Sequence, residues 1–265
     1  MKITVFTSNQ PRHIALIEAL ASIADSVFVV QECNTVFPGR IADFFACSKV
    51  MESYFSRVIE AEIAVFGRPR LGPRKTRTIA LKQGDLNLLE IETLEDALQS
   101  DTYIVFGSSY VRGALCDVLV ENKALNIHVG TSPYYRGSSC NFWALYDEKP
   151  QHVGATIHML GKGLDSGPML FHALPQDQAV DPFLLGMLAV KAAHEGLVHF
   201  LGSGEIWNME PVPQNRNLEL RYSRNSDFTD AIASEYLDRA LSAHDIFAAL
   251  QSRDMAAFLR PYTLK

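Results

Sequence analysis

Short unbroken apolar runs alternate along this chain with longer stretches whose apolar residues return at helical spacing. Residues 3–6 and 26–30 are runs of the first kind, the composition of strands buried on both faces of a parallel sheet. Between them Ile14, Ile17, Leu20 and Ala21 fall on one helical face, with Asn9 as the expected N-cap and Pro11 in the first turn. A strand–helix–strand unit of that length closes with a right-handed crossover. The alternation continues with a helix over 48–66 carrying Val50, Tyr54, Val58 and Ile59, a strand over 102–106, a helix over 112–122 and a strand over 124–128. Short strands are expected at 78–81 and 87–91. Thr93 with Asp96 reads as a capping box for a helix ending near Gln99. A short helix follows at 141–146, then strands at 153–160 and 169–174. Asp181-Pro182 opens a long helix that buries Phe183, Met187, Val190, Leu197 and Leu201 and stops at Gly202. Two weaker helices are expected at 228–241 and 243–250. The pattern predicts an α/β fold: a Rossmann-like, mostly parallel sheet flanked by helices over 1–204, with a small, mainly helical extension over 205–265.

Composition narrows the class. At 265 residues, 48% hydrophobic and 20% charged, the chain has the balance of a soluble protein with a sizeable core. A net charge of −6 argues against a broad nucleic-acid surface. No stretch approaches the roughly 20 apolar residues of a membrane helix. Cys33, Cys47, Cys116 and Cys140 are scattered, without zinc spacing, and are expected to stay reduced; no metal is expected. With an N-terminus that runs straight into a strand and shows no secretory h-region, this points to the cytoplasm.

Candidate chemistry gathers between residues 124 and 167. Leu125 and Ile127 point to one side of their strand, and Asn126 and His128 to the other. The strand empties into Val129-Gly130-Thr131-Ser132-Pro133-Tyr134-Tyr135-Arg136-Gly137, a loop built for sharp turns. A second flexible loop, Gly161-Lys162-Gly163-Leu164-Asp165-Ser166-Gly167, carries one carboxylate. Taken singly, His128 reads as a structural histidine and Asp165 as a turn cap. Together, an amide, an imidazole and a carboxylate could serve one acyl transfer. Gly107-Ser108-Ser109 ends the preceding strand and is a candidate pocket wall. The dinucleotide fingerprint GxGxxG is missing after the first strand. There Asn9, Arg12 and His13 are either a solvated first turn or a phosphate site at a helix N-terminus. Arg68, Arg70, Arg74, Lys75 and Arg77 read as a solvated loop, and Cys140, without a His partner at any readable spacing, as core.

Asn126-Ile127-His128, Pro133-x-Tyr135-Arg136-Gly137 and Gly163-Leu164-Asp165-Ser166-Gly167 together resemble the folate-dependent formyltransferases. That family spans glycinamide ribonucleotide transformylase, methionyl-tRNA formyltransferase and the sugar N-formyltransferases. The resemblance is clear from about 102 to 174. It departs at Val129-Gly130-Thr131-Ser132, where the family commonly has Pro-Ser-Leu-Leu. It implies N10-formyltetrahydrofolate as formyl donor and a tetrahedral oxyanion on the path to the amine. Asn126 and a protonated His128 would face that oxyanion, and Asp165 would orient His128 and accept the amine's proton. It further implies that Phe106, Gly107, Ser108, Tyr110, Leu160, Gly163 and Leu164 hold the folate, and that Asn9, Arg12, His13, Tyr135 and Arg136 lie on the acceptor side.

The acceptor is read from the rest of the chain. The tail over 205–265 holds 7 Lys and Arg against 9 Asp and Glu and reads helical, which disfavours tRNA. Glycinamide ribonucleotide enzymes end soon after the long helix. Sugar N-formyltransferases carry variable additions that often build dimers, so a homodimer is expected. The segments 6–13, 34–40 and 136–143 look most like enzymes acting on GDP-perosamine for lipopolysaccharide O-antigen. Other family acceptors, including dTDP-4-amino sugars, a formyltetrahydrofolate hydrolase and a non-catalytic nucleotide-binding protein remain as alternatives.

Overall fold

The first apolar run forms β1 (Lys2–Thr7), followed by α1 (Pro11–Ile23), β2 (Ser26–Cys33), α2 (Lys49–Phe66), β3 (Thr76–Lys82), β4 (Thr102–Phe106), α3 (Gly113–Glu121) and β5 (Leu125–His128). The structure is a computed structural model that describes residues 1–43, 45 and 47–264. It continues through β6 (Tyr135–Gly137), α4 (Cys140–Tyr146), β7 (Ala155–Met159), β8 (Met169–Leu174) and α5 (Pro182–Ser203). The last elements are β9 (Arg221–Ser223), α6 (Asp230–Asp238), α7 (Ala243–Gln251) and β10 (Tyr262–Thr263).

An eight-stranded sheet in the order β10-β8-β7-β5-β4-β1-β2-β3 forms the centre. All neighbours are parallel except β7, which runs antiparallel to both β5 and β8. Strand order reverses at β1, whose neighbours are β2 and β4, and such a switch leaves a crevice at the carboxyl ends of the strands. Helices cover both faces. α1 and α5 bury Leu16, Leu20, Ala192 and Leu197 on one, and α3 buries Leu115 and Leu119 on the other. α5 is long and apolar enough to cross a membrane by length and composition alone. Here it is a core helix, with Leu185, Ala189, Ala193 and Leu197 fully enclosed.

The segment after α5 returns to the body of the protein. β9 pairs with β6 in a two-stranded sheet, β10 adds the edge strand next to β8, and Tyr236, Ile246 and Leu250 pack with α2 and α4.

Several local expectations change. Asn9 does not cap α1: its side chain grips Asn34, donating to that residue's O at 2.9 Å and accepting from its N at 2.9 Å. Gln10 is the N-cap, and the helix starts on Pro11 without a side-chain cap. Residues 87–91 are not a strand. Asp85–Leu88, Ile91–Leu94 and Ala97–Gln99 are 3₁₀ turns that drop Leu86, Leu94 and Ala97 singly into the core and leave Leu88 80% exposed. Accordingly Thr93 caps no helix. α5 runs through Gly202 and ends at Gly204, whose φ of 76° suits a left-handed C-cap. In the basic loop Arg70 pairs with Glu18, and Arg77 lies in β3 and pairs with Asp96.

Candidate active site

β5 lies beside β4 and opposite β7, so every side chain it carries is covered. Asn126 is 9% and His128 6% exposed. In the antiparallel register Asn126 faces His158 of β7. Asp165 arrives from the loop between β7 and β8 with φ at +43°, a left-handed conformation that a non-glycine residue holds only where its surroundings enforce it. Two features enforce it. Gln214 donates through Nε2 to the carbonyls of Asp165 (2.8 Å) and Gly167 (2.9 Å). Gly167 sits so close to β7 that a Cβ there would be 1.7 Å from Met159 O.

The three side chains meet. Asp165 Oδ1 accepts from Asn126 Nδ2 at 3.1 Å, and Asp165 Oδ2 lies 3.3 Å from His128 Nδ1. The second N–H of the Asn126 amide goes to His158 Nε2 at 2.9 Å, while His158 Nδ1 donates to Met159 O at 2.8 Å. That pattern fixes His158 as the neutral tautomer with its proton on Nδ1. His128 has acceptors at both nitrogens, with Nε2 3.3 Å from Tyr135 O and 3.4 Å from Cys140 Sγ. Burial opposes a charge on His128. The Cys140 sulfur and the Asp165 carboxylate outweigh it and raise the imidazole well above its ordinary value. Burial likewise opposes a charged Asp165, but the His128 cation and the hydrogen bond from His128 hold its carboxyl well below the usual range. The two shifts together favour an imidazolium facing a carboxylate.

The pair opens on a cleft of about 490 Å³ at the carboxyl ends of β4 and β5, a volume typical of small-molecule sites. Phe106, Gly107, Ser108 and Tyr110 form one wall and Leu160, Gly163 and Leu164 another, so every residue expected on the folate side lines it. Of those expected on the acceptor side, Arg12 and His13 line the cleft. Arg12 Nη1 is tied to buried Glu62 at 2.8 Å, and burial, with Arg12 alongside, lowers His13 well below its ordinary value. Asn9 is outside, held to Asn34. Tyr135 is 1% exposed, with its hydroxyl 3.2 Å from Asp147, and meets the site only through its carbonyl. Arg136 faces a second cavity beyond the Asp165 loop. Among the described residues no group of three or more His, Cys, Asp or Glu side chains is placed to hold a metal ion.

Sequence reasoning missed four contributors. His158 sits on a strand next to the Asn126 strand, and its strand neighbour could have betrayed it. Cys140 does have a His partner, His128, through the fold rather than through spacing. Gln214 carries no motif. Glu32, 1% exposed, accepts from the backbone N–H groups of Gly84 (2.8 Å), Leu86 (3.3 Å) and Ser109 (2.5 Å), which anchors the loop that walls the cleft.

A buried amide, imidazolium and carboxylate at the switch end of an α/β sheet define a group-transfer enzyme that stabilises a developing oxyanion. The family model described as "Formyl transferase" matches residues 1–179, and the chain belongs to that family. No curated protein matches it significantly in sequence. Solved structures share its fold at low identity. The formyltransferase PseJ from Anoxybacillus kamchatkensis, in complex with UDP-4,6-dideoxy-4-formamido-L-AltNAc and tetrahydrofolate, is 14% identical, with 95% of this chain and 100% of that one covered and a TM-score of 0.50. A 4-N formyltransferase from Francisella tularensis is 16% identical over 100% and 98% of the two chains, TM-score 0.51. An N-formyltransferase from Helicobacter canadensis, in complex with folinic acid and dTDP-3-aminofucose, is 13% identical over 98% and 84%, TM-score 0.51.

Proposed function

We propose that this enzyme transfers a formyl group from N10-formyltetrahydrofolate to the 4-amino group of a nucleotide-linked dideoxy sugar, with GDP-perosamine (GDP-4-amino-4,6-dideoxymannose) as acceptor. The observation that carries the reading is the convergence of Asn126, His128 and Asp165 on one cleft. Two of the similar structures hold a folate and a nucleotide-linked sugar. The cleft suits a folate: Phe106, Tyr110, Leu160 and Leu164 line it with apolar surface. When bound, the folate supplies an activated formyl group.

The chain's own residues do the rest. An oxygen gaining negative charge beside β5 takes an N–H of Asn126 and the charge of His128. Both amide N–H groups are engaged in this state, so the entering oxygen replaces Asp165 as acceptor. His158 holds the other N–H and so keeps the amide turned toward the cleft. Asp165, released from Asn126, remains beside His128 and takes the proton that the amine loses as it bonds to the formyl carbon; the same proton would pass to the departing folate N10 as its bond to that carbon breaks. Arg12 and His13 line the acceptor side, Asn9 fixes the neighbouring 34–37 turn, and Tyr135 and Arg136 bring the β6 backbone against His128.

The wider reading is a cytoplasmic homodimer in lipopolysaccharide O-antigen assembly, and Trp207, Leu218 and Leu220 on the extension are each near half exposed. The decisive experiment incubates the protein with N10-formyltetrahydrofolate and a panel of GDP-, dTDP- and UDP-linked amino sugars and reads products by mass. The expected product is the formamido GDP sugar, heavier than the acceptor by the mass of one CO. Folate turnover without any amine would make the protein a hydrolase, and no turnover at all would end the reading.

A further inference from the structure

The second cavity, beyond the Asp165 loop, is not used by the chemistry above. It has a volume of about 490 Å³, and Gly163 and Leu164 form a wall common to it and to the catalytic cleft. Arg136 stands at its base with a side chain 7% exposed. The β6–β9 pairing sets it there, opposite Tyr222 in the register. One guanidinium arm reaches Glu219 at 2.9 Å, while the buried Nε has no partner among the described residues. The guanidinium lies 5.9 Å from the Tyr222 ring centre, and Tyr222 is 48% exposed. Arg216 also lines the cavity, is exposed, and forms no ion pair with a described residue. Glu219 offsets one of the two arginines, so the cavity carries a net positive charge, with the Ser166 side chain nearby as a neutral polar group.

Two arginines, a hydroxyl and an exposed aromatic ring form a site for an anion attached to a flat ring system. We propose that this cavity binds the diphosphate and base of the acceptor nucleotide: the diphosphate on Arg136 and Arg216, the base against Tyr222 and Leu164. The inference rests on the nucleotide-sugar reading above and extends it. The shared Gly163–Leu164 wall lets one molecule lie across the Asp165 loop, nucleotide on one side and amino sugar on the other. It also explains why the C-terminal segment is threaded back to pair with β6: β9 and the 3₁₀ turn before it supply Arg216 and Tyr222.

Calorimetric titration of the full chain tests it, with GDP, pyrophosphate and guanosine as separate probes, first alone and then with the amino-sugar nucleotide or the folate present. The expected result is that GDP binds, and that it competes with the amino-sugar nucleotide but not with the folate. Arg216→Ala and Arg136→Lys should weaken GDP by about 10- to 100-fold, and Tyr222→Ala by about 10-fold. Pyrophosphate binding should depend on Arg216 and not on Tyr222, and guanosine binding the reverse. Arg216 and Tyr222 are exposed, so their variants stay folded even if Arg136→Lys does not. GDP binding unchanged in both Arg216→Ala and Tyr222→Ala would overturn the site. If those variants also formylate the sugar with wild-type KM, this inference falls and formyl transfer stands. If GDP binding needs Arg216 but no amino sugar is formylated, the site stands and the acceptor reading falls.

Discussion

Asp165 does two incompatible things in the resting site, and its substitution separates them. It occupies an N–H of Asn126, and it balances the charge on His128. In Asp165→Asn the geometry can persist while the charge is gone. Turnover should fall about 100- to 1000-fold, the scale seen when one group of an oxyanion-stabilising set is lost. The His128 imidazole should also titrate at lower pH by NMR, because only burial and Cys140 then act on it. A His128 that stays charged to the same pH would show that Asp165 does not hold its proton. Cys140 makes the complementary case. Its sulfur lies 3.4 Å from His128 Nε2 and 3.4 Å from Gly137 O, and Gly130 leaves the room, since a Cβ there would meet Cys140 Cβ at 2.4 Å. Removing the sulfur in Cys140→Ala takes away a group that raises His128. The alkaline limb of the kcat profile should therefore move to lower pH, with KM for the folate little changed. A fall in kcat with the limb unmoved would leave Cys140 a packing residue.

At the scale of elements, the Asp165 loop is held from a distance. Gln214 Nε2 bonds two of its carbonyls, and Gln214 is separated from Asp165 by 49 positions. Gln214→Ala removes two hydrogen bonds of about 1 kcal/mol each. With Asp165 strained at φ +43°, the loop should relax toward ordinary backbone. We expect kcat to drop about tenfold or more and the melting temperature to change by only a few degrees. Unchanged kcat would mean that Gly167 and the β7–β8 connection suffice. This arrangement also marks what could be read from sequence. β1 and β4 are apolar runs whose burial on both faces is written in their composition, and Asn126, His128 and Asp165 lie in motifs of local spacing. Gln214, Glu32, His158 and Cys140 act on partners that only the tertiary fold brings near. The same reason defeats the Asn9 cap, because Asn34 sits 25 positions away and wins the side chain. The 87–91 strand fails for want of a neighbour: β3 is already the sheet edge, and single leucines reaching the core suit 3₁₀ turns better.

Across the whole molecule, buried histidines decide how stability follows pH. His13, His172 and His194 are each under 5% exposed. Burial lowers all three, His172 to about 4, His194 to about 3 and His13 well below its ordinary value, with Arg12 adding to His13 and His194. In the unfolded chain each takes a proton near 6.5. Below that pH the unfolded state binds protons that the native state refuses, so stability falls as pH falls. Burial lowers His152 as well, to about 4, and the four groups together give a slope approaching about 5 kcal/mol per pH unit, against a typical total of about 5–15 kcal/mol. His128 works in the opposite sense. Its native value is raised, so its contribution is complete below 6.5 and is lost as pH rises through that native value. Asp165, held low, contributes above the ordinary carboxylate range and stays constant through this window. The melting temperature should therefore peak near neutrality and fall steeply toward about pH 5, with a shallower decline on the alkaline side. His194→Leu should flatten the acid limb by about a quarter, since it removes one of four protons, and leave the alkaline limb in place. His194 is the right position to test, because its ring packs on Phe66 and Phe106 and its Nε2 has no partner among the described residues. An acid limb of the same slope in that variant would assign the acid sensitivity to groups other than the buried neutral imidazoles.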